Sequence, residues 1–315
     1  MLHVPPQGSV APNVWQRAEQ CVVTVAQTSS AQAWADPDAI QFNASKTATI
    51  YDSWADSADL VIFPELNLSG YIPLKGYDQQ RKLALCRAAQ RCVGEKLPAL
   101  ASATAGRRAG LIVGFMEPSI MRNEMHNSIA LLADGEIRGV YRKMHLPVEE
   151  NHYFVPGESV TVIDTPAGRV GLAICYDLVF PEVARLAALQ GAEILVVASC
   201  WAALSNLMRY AEVLPVARAL EEQMHVVFAN GVGELQVRGR TIKLFGGSRV
   251  VTAAGDVISM AGGGEEEIGV TLARSVLDEA ADTFPILRDR RPAAYRPLAQ
   301  PRDGLAVLQS ELGGS

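Results

Sequence analysis

No apolar run in the sequence reaches the roughly 18–20 residues that a membrane-spanning helix needs, so no membrane partner is expected. The opening stretch, MLHVPPQGSVAPNVWQRAEQ, lacks the basic start and apolar segment of a secretory leader. Its prolines and glycine suit an extended arm instead. Cysteine is scarce. Cys21, Cys86, Cys92, Cys175 and Cys200 are odd in number, irregularly spaced and free of any CxxC pair, which argues against a disulfide framework or a zinc site. Free thiols fit a reducing compartment, and a cytoplasmic location is expected. There is no basic stripe and the formal charge is −6, so nucleic acid is not an expected partner. Linkers rich in Pro, Gly or Ser are missing, as are repeats. The chain therefore reads as an arm (1–20), one domain (21–296) and a tail (297–315).

What is present is a large supply of core: 49% of the residues are hydrophobic, which at this length is ample for a sizeable interior. Val- and Ile-rich runs at 21–27, 59–65, 110–115, 127–133, 169–175, 193–199 and 225–230 read as strands buried on both faces. Asp134-Gly135 and Gly255-Asp256 each sit between two strand-like runs and signal hairpins. Segments 40–57, 79–105, 180–190 and 206–223 read as helices, the third with Pro181 in its first turn and Gly191 at its stop. Strands alternating with helices, plus hairpins, predict a mixed α/β domain. The acidic run Glu265-Glu266-Glu267 reads as a solvated turn.

Three strand ends carry reactive groups. In LVIFPELNLSGY, Glu65 directly follows an apolar run. Poor solvation there penalises the charged form, as suits a group that must trade protons, although a turn-capping carboxylate is the plainer reading of this stretch alone. In GVYRKMHLPVEENHYFVPG, Lys143 closes a strand-like run after the Asp-Gly turn. A lysine beside a thiolate and a carbonyl would stabilise negative charge on both, while a surface lysine is the commoner case. In RVGLAICYDLVFPEVARL, Cys175 ends a strand and a helix starts near Phe180. Such a turn lifts a nucleophile out of the core, where backbone N–H groups favour anions; a single cysteine is more often a small buried hydrophobe.

Taken in the order Glu65, Lys143, Cys175, the stretches FPELNLSGY, YRKMHLP followed by YFVPG, and CYDLVFPE resemble the nitrilase, or carbon–nitrogen hydrolase, superfamily. GAEILVVAS, FGGSRVV with AGDV, and FPILRDRRPAAY extend the likeness over roughly 21–296. The resemblance implies a four-layer αββα sandwich. It implies Cys175 as nucleophile, Glu65 as general base and Lys143 as the charge-stabilising residue, with Glu150, from the pattern E-x-x-Y-F, as a fourth polar residue beside the alternative Glu149. It also implies subunit pairing through the helix around 180–190, hence a homodimer or larger homo-oligomer, and no metal or organic cofactor.

CYDLVFPE is similar to amidase-type members, whereas nitrilases of the superfamily typically carry Cys-Trp-Glu at this point. The resemblance therefore implies an amidase whose substrate is a small primary amide. Members that grip a substrate carboxylate often carry arginine two to four residues after the cysteine. Asp177, Leu178 and Val179 stand there instead, so a neutral amide is expected unless Arg209 or Arg249 supplies charge from elsewhere. Tyr71, Phe154, Tyr176 and Trp201 are the expected substrate-binding residues, with Tyr77, Tyr153 and Asn206 as further candidates for the pocket wall. A nitrilase or N-carbamoyl amide hydrolase is the alternative on the same fold. A catalytically silent scaffold would be expected to lose one of the three reactive residues, and all three are present. A thiol redox sensor is a further non-hydrolase reading. None of the five histidines is required as a base, and His145 reads as a structural hydrogen-bonding residue.

Overall fold

A computed structural model describes residues 18–36, 38–72, 78–121, 123–147, 149–237 and 240–299. Most of the expected arm and tail, with His3 and Tyr77, lie outside the described residues. The chain runs β1 (Gln20–Gln27), α1 (Ala39–Trp54), β2 (Leu60–Ile62), α2 (Gln79–Arg91), α3 (Leu97–Ala103), β3 (Gly110–Pro118), β4 (Met125–Ala133), β5 (Glu136–Arg142), β6 (Thr161–Thr165) and β7 (Gly168–Ile174). It continues through α4 (Pro181–Leu189), β8 (Ile194–Ser199), α5 (Ser205–Glu222), β9 (His225–Asn230), β10 (Val232–Val237), β11 (Arg240–Phe245), β12 (Arg249–Val251), β13 (Val257–Met260), β14 (Glu266–Ala273) and α6 (Ser275–Thr283).

Two six-stranded sheets result, ordered β14-β1-β2-β3-β4-β5 and β13-β12-β9-β8-β7-β6. Each has a parallel centre, β1-β2-β3 in one and β9-β8-β7 in the other, flanked by antiparallel strands. Val23, Val25, Leu60, Ile62, Ile112 and Ile129 of the first sheet share a core with Val170, Leu172, Ile174 and Val196 of the second. The alternate side chains of the first sheet, among them Val61, Leu111, Val113 and Phe115, face Ile40, Tyr51 and Leu100 of the helices. Helices α4 and α5 supply Val183, Ala187, Ala211 and Ala219 to the core of the second sheet. The architecture is the expected αββα sandwich, and its apolar strands read as continuous runs because both faces are covered.

Departures from the expected elements have local causes. The run 59–65 pairs only over Leu60–Ile62, because Pro64 has no N–H to give and a turn begins at Glu65. The single helix expected over 79–105 is divided by a wide turn, Cys92–Lys96, in which the Leu97 N–H reaches the Cys92 carbonyl. Pro98 lies just past it and cannot donate back to Gly94, so the ladder shifts by one residue. At the β4–β5 hairpin Asp134 and Gly135 adopt φ of 52° and 81°, the paired left-handed geometry of a tight two-residue turn. Of the acidic run, Glu266 and Glu267 open β14, while Glu265 accepts from Lys46 and from the N–H and hydroxyl of Ser29. β6, β10, β11, β14 and α6 were not foreseen.

Between α4 and α5, Arg185 Nε lies 2.7 Å from Glu222 Oε2 in a largely buried pair. Burial pushes the Glu222 carboxyl up to about 7, against the pull of Arg185. The folded protein therefore holds this proton more tightly than the unfolded chain. Its contribution to stability is complete below the ordinary value of 4.5 and is lost as pH rises through about 7. Glu222→Gln is expected to raise Tm by about 2–4 °C at pH 8 and to change it little near pH 4.5. Thermal melts at the two pH values check this, and equal shifts at both would contradict it.

Candidate active site

The parallel strands β2, β7 and β8, and β5, which runs in the same direction as β3 two strands away, deliver their carboxyl ends to one edge of the sandwich. Glu65 follows β2, Lys143 follows β5, Cys175 follows β7 and Cys200 follows β8. Their backbones are held by specific devices. Gly114 on β3 lies against the Glu65 turn: a Cβ there would sit 2.4 Å from Leu66 N and 2.7 Å from Pro64 O. The same turn is bolted to β3 by the Gly114 N–H donating to Asn67 Oδ1 at 2.8 Å and by the Leu68 N–H donating to the Gly114 carbonyl. Gly114→Ala should displace Glu65 and lower kcat by about 10²-fold, the usual effect of a shift near 1 Å in a catalytic group. Steady-state kinetics beside a circular dichroism spectrum would test it, and unchanged kcat would refute the argument.

Lys143 and Glu150 come from the segment that leaves β5, and both are fully buried. Lys143 Nζ donates to Glu65 Oε1 at 2.7 Å, to Glu150 Oε1 at 2.8 Å and to Glu150 Oε2 at 3.0 Å. The Tyr71 hydroxyl donates to Glu150 Oε1 at 2.5 Å. Burial works against the Lys143 ammonium, but Glu150 and Glu65 outweigh it and hold the group well above its ordinary value. Glu150 is pushed up by burial against the pull of Lys143, because two carboxylates share one ammonium. Tyr71 is likewise pushed well up by burial, which keeps its phenol a donor.

One functional contact was missed from sequence. Asn127, at the head of the NSIALLA run, donates from Nδ2 to Glu65 Oε1 at 2.7 Å, and its carbonyl accepts the Lys143 N–H at 2.9 Å. A polar side chain near the start of an otherwise apolar buried strand was the available signal. Both donors to Glu65 thus converge on Oε1. Oε2 is buried and accepts no hydrogen bond in the structure. Leaving a buried carboxylate oxygen bare costs about 1–3 kcal/mol, a cost that points to function rather than packing.

Cys175 occupies the left-handed region with φ 49° as β7 gives way to a short 3₁₀ turn, Cys175–Val179. For a side chain other than glycine this is strained backbone. Burial pushes the thiol well above its ordinary value, Glu65 adds to this, and Lys143 and a main-chain hydrogen bond from Cys200 oppose it. Cys175 at rest is therefore a thiol, and it sits within the electrostatic reach of Glu65, whose second oxygen accepts no hydrogen bond.

Glu65, Lys143, Glu150 and Tyr71 come together as a bonded cluster, with Cys175 beside them. Phe154 is buried next to Tyr153 in the same apolar cluster as Tyr71, and its N–H donates to the Glu150 carbonyl. Trp201 packs edge-on against Phe228 within the core between the sheets, and Tyr176 is 37% exposed, edge-on to Phe180. Three of the histidines are engaged elsewhere: His145 with Asp177, His126 with the Val155 carbonyl, and His225 with Ala253 and Ala273. Arg209 is exposed and pairs with Glu212, while Arg249 is buried and donates to the Gly247 carbonyl. Among the described residues no cluster of three His, Cys, Asp or Glu side chains could hold a metal ion, and no helix is long and apolar enough to cross a membrane.

The family model for carbon–nitrogen hydrolases matches residues 8–283, beginning inside the expected arm and ending just before the FPILRDRRPAAY stretch. An (R)-stereoselective amidase from Pseudomonas sp. is 33% identical over 253 residues, which cover 79% of this chain and 86% of that protein. A nitrilase from Pyrococcus abyssi is 32% identical over 254 residues, covering 78% of this chain and 89% of that protein. Among solved structures, a variant of the amidase from Nesterenkonia sp. AN1 superposes with a TM-score of 0.71 at 25% identity, covering 88% of this chain and 96% of that one. In that structure the acetamide moiety of fluoroacetamide is covalently added at the active-site cysteine. The protein described here is a member of the carbon–nitrogen hydrolase family.

Proposed function

We infer that the protein is a cysteine-dependent amidase that hydrolyses a small, neutral primary amide to a carboxylic acid and ammonia. The observation that carries this reading is the buried, unpartnered Glu65 Oε2 beside a protonated Cys175 thiol, with an ammonium fixed on the other oxygen. As Cys175 Sγ attacks the carbonyl carbon, its proton passes to Glu65. Lys143 Nζ and the Tyr176 N–H stabilise the oxyanion, each such donor contributing about 10²–10³ in rate. Glu65 returns the proton to the nitrogen, the C–N bond breaks and ammonia leaves a thioester on Cys175. Water then attacks the thioester, Glu65 takes its proton, and the thiol is regenerated as the acid departs. Glu150 orients Lys143, and Tyr71 orients Glu150.

A small substrate is part of the same reading. A cavity of about 60 Å³ lined by Glu65, Tyr71, Ser29, Gly231, Leu235, Leu244 and Cys200 lies beside the cluster and supports a small acyl group. Asp177, Leu178 and Val179 offer no cation to a substrate carboxylate. The test is ammonia release from short neutral amides, ω-amido acids, N-carbamoyl amino acids and nitriles. Turnover confined to neutral amides is the expected result. Turnover mainly of nitriles would favour the reading that the Pyrococcus abyssi relative's name suggests, and preference for a carboxylate-bearing amide would overturn the neutral-substrate assignment.

Self-association through α4 and α5 belongs to the same reading. Leu186 and Leu189 on α4, with Val213 and Leu220 on α5, are each more than 40% exposed, an apolar set suited to a second copy of the same helix pair. Sedimentation equilibrium should give a dimer for the native chain and a monomer for Leu186→Glu with Leu220→Glu. A monomeric native chain would refute this.

A further inference from the structure

Asp177 takes no part in the mechanism above, yet it is fully buried and four donors converge on it. The Tyr141 hydroxyl and the Ile174 N–H donate to Oδ2 at 2.7 and 3.2 Å. The His145 N–H and His145 Nδ1 both lie 2.9 Å from Oδ1. A carboxylate accepts, so Nδ1 carries the hydrogen. Tyr141 and His145 stand two residues to either side of Lys143. Ile174 and Asp177 bracket Cys175. One carboxylate therefore ties the chain around the lysine, at the end of the first sheet, to the chain around the cysteine, at the end of the second.

Stacking and a further cation extend the tie. The His145 ring lies on Phe180, with centroids 3.6 Å apart and planes within 9°, and Tyr176 meets Phe180 edge-on at 5.1 Å. Arg218 on α5 donates from Nε and Nη2 to the Leu178 and Val179 carbonyls at 3.3 and 3.2 Å. The physical need is specific. The sheets are held together by apolar burial, which is non-directional and sets their relative position only loosely. Hydrogen bonds at the edge are directional and fix it. Cys175 is also strained at φ 49°, a conformation that persists only where surrounding bonds over-determine it.

We propose that Asp177 is a positioning residue that holds the Cys175 elbow in register with Lys143, so that thiol and ammonium meet the same carbonyl group. The proposal rests on the roles inferred above for those two residues. In Asp177→Asn only one oxygen remains: turned toward Ile174, it leaves the amide nitrogen facing the two N–H groups of His145, and turned toward His145, it leaves the nitrogen facing the Ile174 N–H, so one side of the tie opens in either orientation. Tyr141→Phe removes one bond and keeps the core volume, so it serves if the first variant does not fold.

The experiment measures kcat, KM, Tm and the rate at which iodoacetamide alkylates Cys175, located by mass, for the native enzyme, both single variants and the double variant. Asp177→Asn is expected to lower kcat and the alkylation rate by about 10²-fold with KM within about threefold. Tyr141→Phe should lower both by about tenfold, and the double variant should lose less than the product, since both changes act through one carboxylate. Variants that melt earlier but keep kcat and alkylation within about twofold of native would reduce Asp177 to a fold contact, and fully multiplicative losses would also overturn the proposal. If the native enzyme alkylates at Cys175 yet hydrolyses no amide, the amidase reading fails, while the alkylation ratios still decide the role of Asp177.

Discussion

Cys175→Ala is expected to lower amide turnover by at least about 10⁴-fold while leaving the fold and the Glu65–Lys143–Glu150 cluster in place. The reason is that the bonds holding the cluster run among Glu65, Lys143, Glu150, Asn127 and Tyr71, and none of them passes through the sulfur. Alanine keeps the φ of 49° and leaves only a small void where the sulfur was, so Tm should fall by no more than about 2–4 °C. Cys175→Ser should not rescue activity, because an alcohol beside the same carboxylate is a weaker nucleophile than the thiol. Ammonia release and intact mass on mixing with a short amide check both statements. The native protein should gain the acyl mass and the alanine variant none. An adduct on Cys200, or turnover within about tenfold of native, would remove Cys175 from the mechanism.

Glu65→Gln is the second large effect, about 10²–10⁴-fold in kcat, the usual range for losing a positioned base. Its sign at the thiol is opposite to its sign on turnover. Burial is the first cause that keeps Cys175 protonated and the Glu65 charge is the second, with Lys143 opposing. Neutralising Glu65 leaves burial in place, removes the second cause and frees Lys143 to act. The alkylation profile of Cys175 should therefore move to lower pH even as hydrolysis falls. A profile that moves to higher pH, or kcat within about tenfold of native, would contradict the assignment of Glu65 as base. Lys143→Met is a poorer test of chemistry. It would strand two buried carboxylates without a cation, and breaking such a group costs about 3–5 kcal/mol of stability, so lost activity would confound lost fold.

Much of the candidate site was legible because its signals are local. Glu65 and Cys175 each close an apolar run, and Lys143 closes a strand-like run after an Asp-Gly turn. The central strands were legible for a related reason, since a strand covered on both faces is apolar throughout. The missed strands are edge or hairpin strands. TVIDT, RTIKLF and EEIGVTLA mix charge with apolar residues because one side meets solvent, and period-two alternation over so few residues is faint. Trp201, expected to line the pocket from its position after β8, packs edge-on against Phe228 of β9, a neighbour that its own segment does not name.

Asn127 carries one faint local signal, a polar side chain near the start of an apolar strand, and Asp177 stands out in its segment only as a position where a cation is missing. Their partners stand 62 and 36 residues away, for Glu65 and Tyr141 respectively. By itself the sequence determined the α/β class and the family resemblance and marked three candidate side chains, since strand burial, turn chemistry and motif order are properties of short segments. Only the tertiary structure decided which oxygen of Glu65 is left bare, and which distant side chains bond to Glu65 and to Asp177. Those depend on which strand ends two packed sheets bring to one edge, a matter of crossover connections and non-local burial that no single segment encodes.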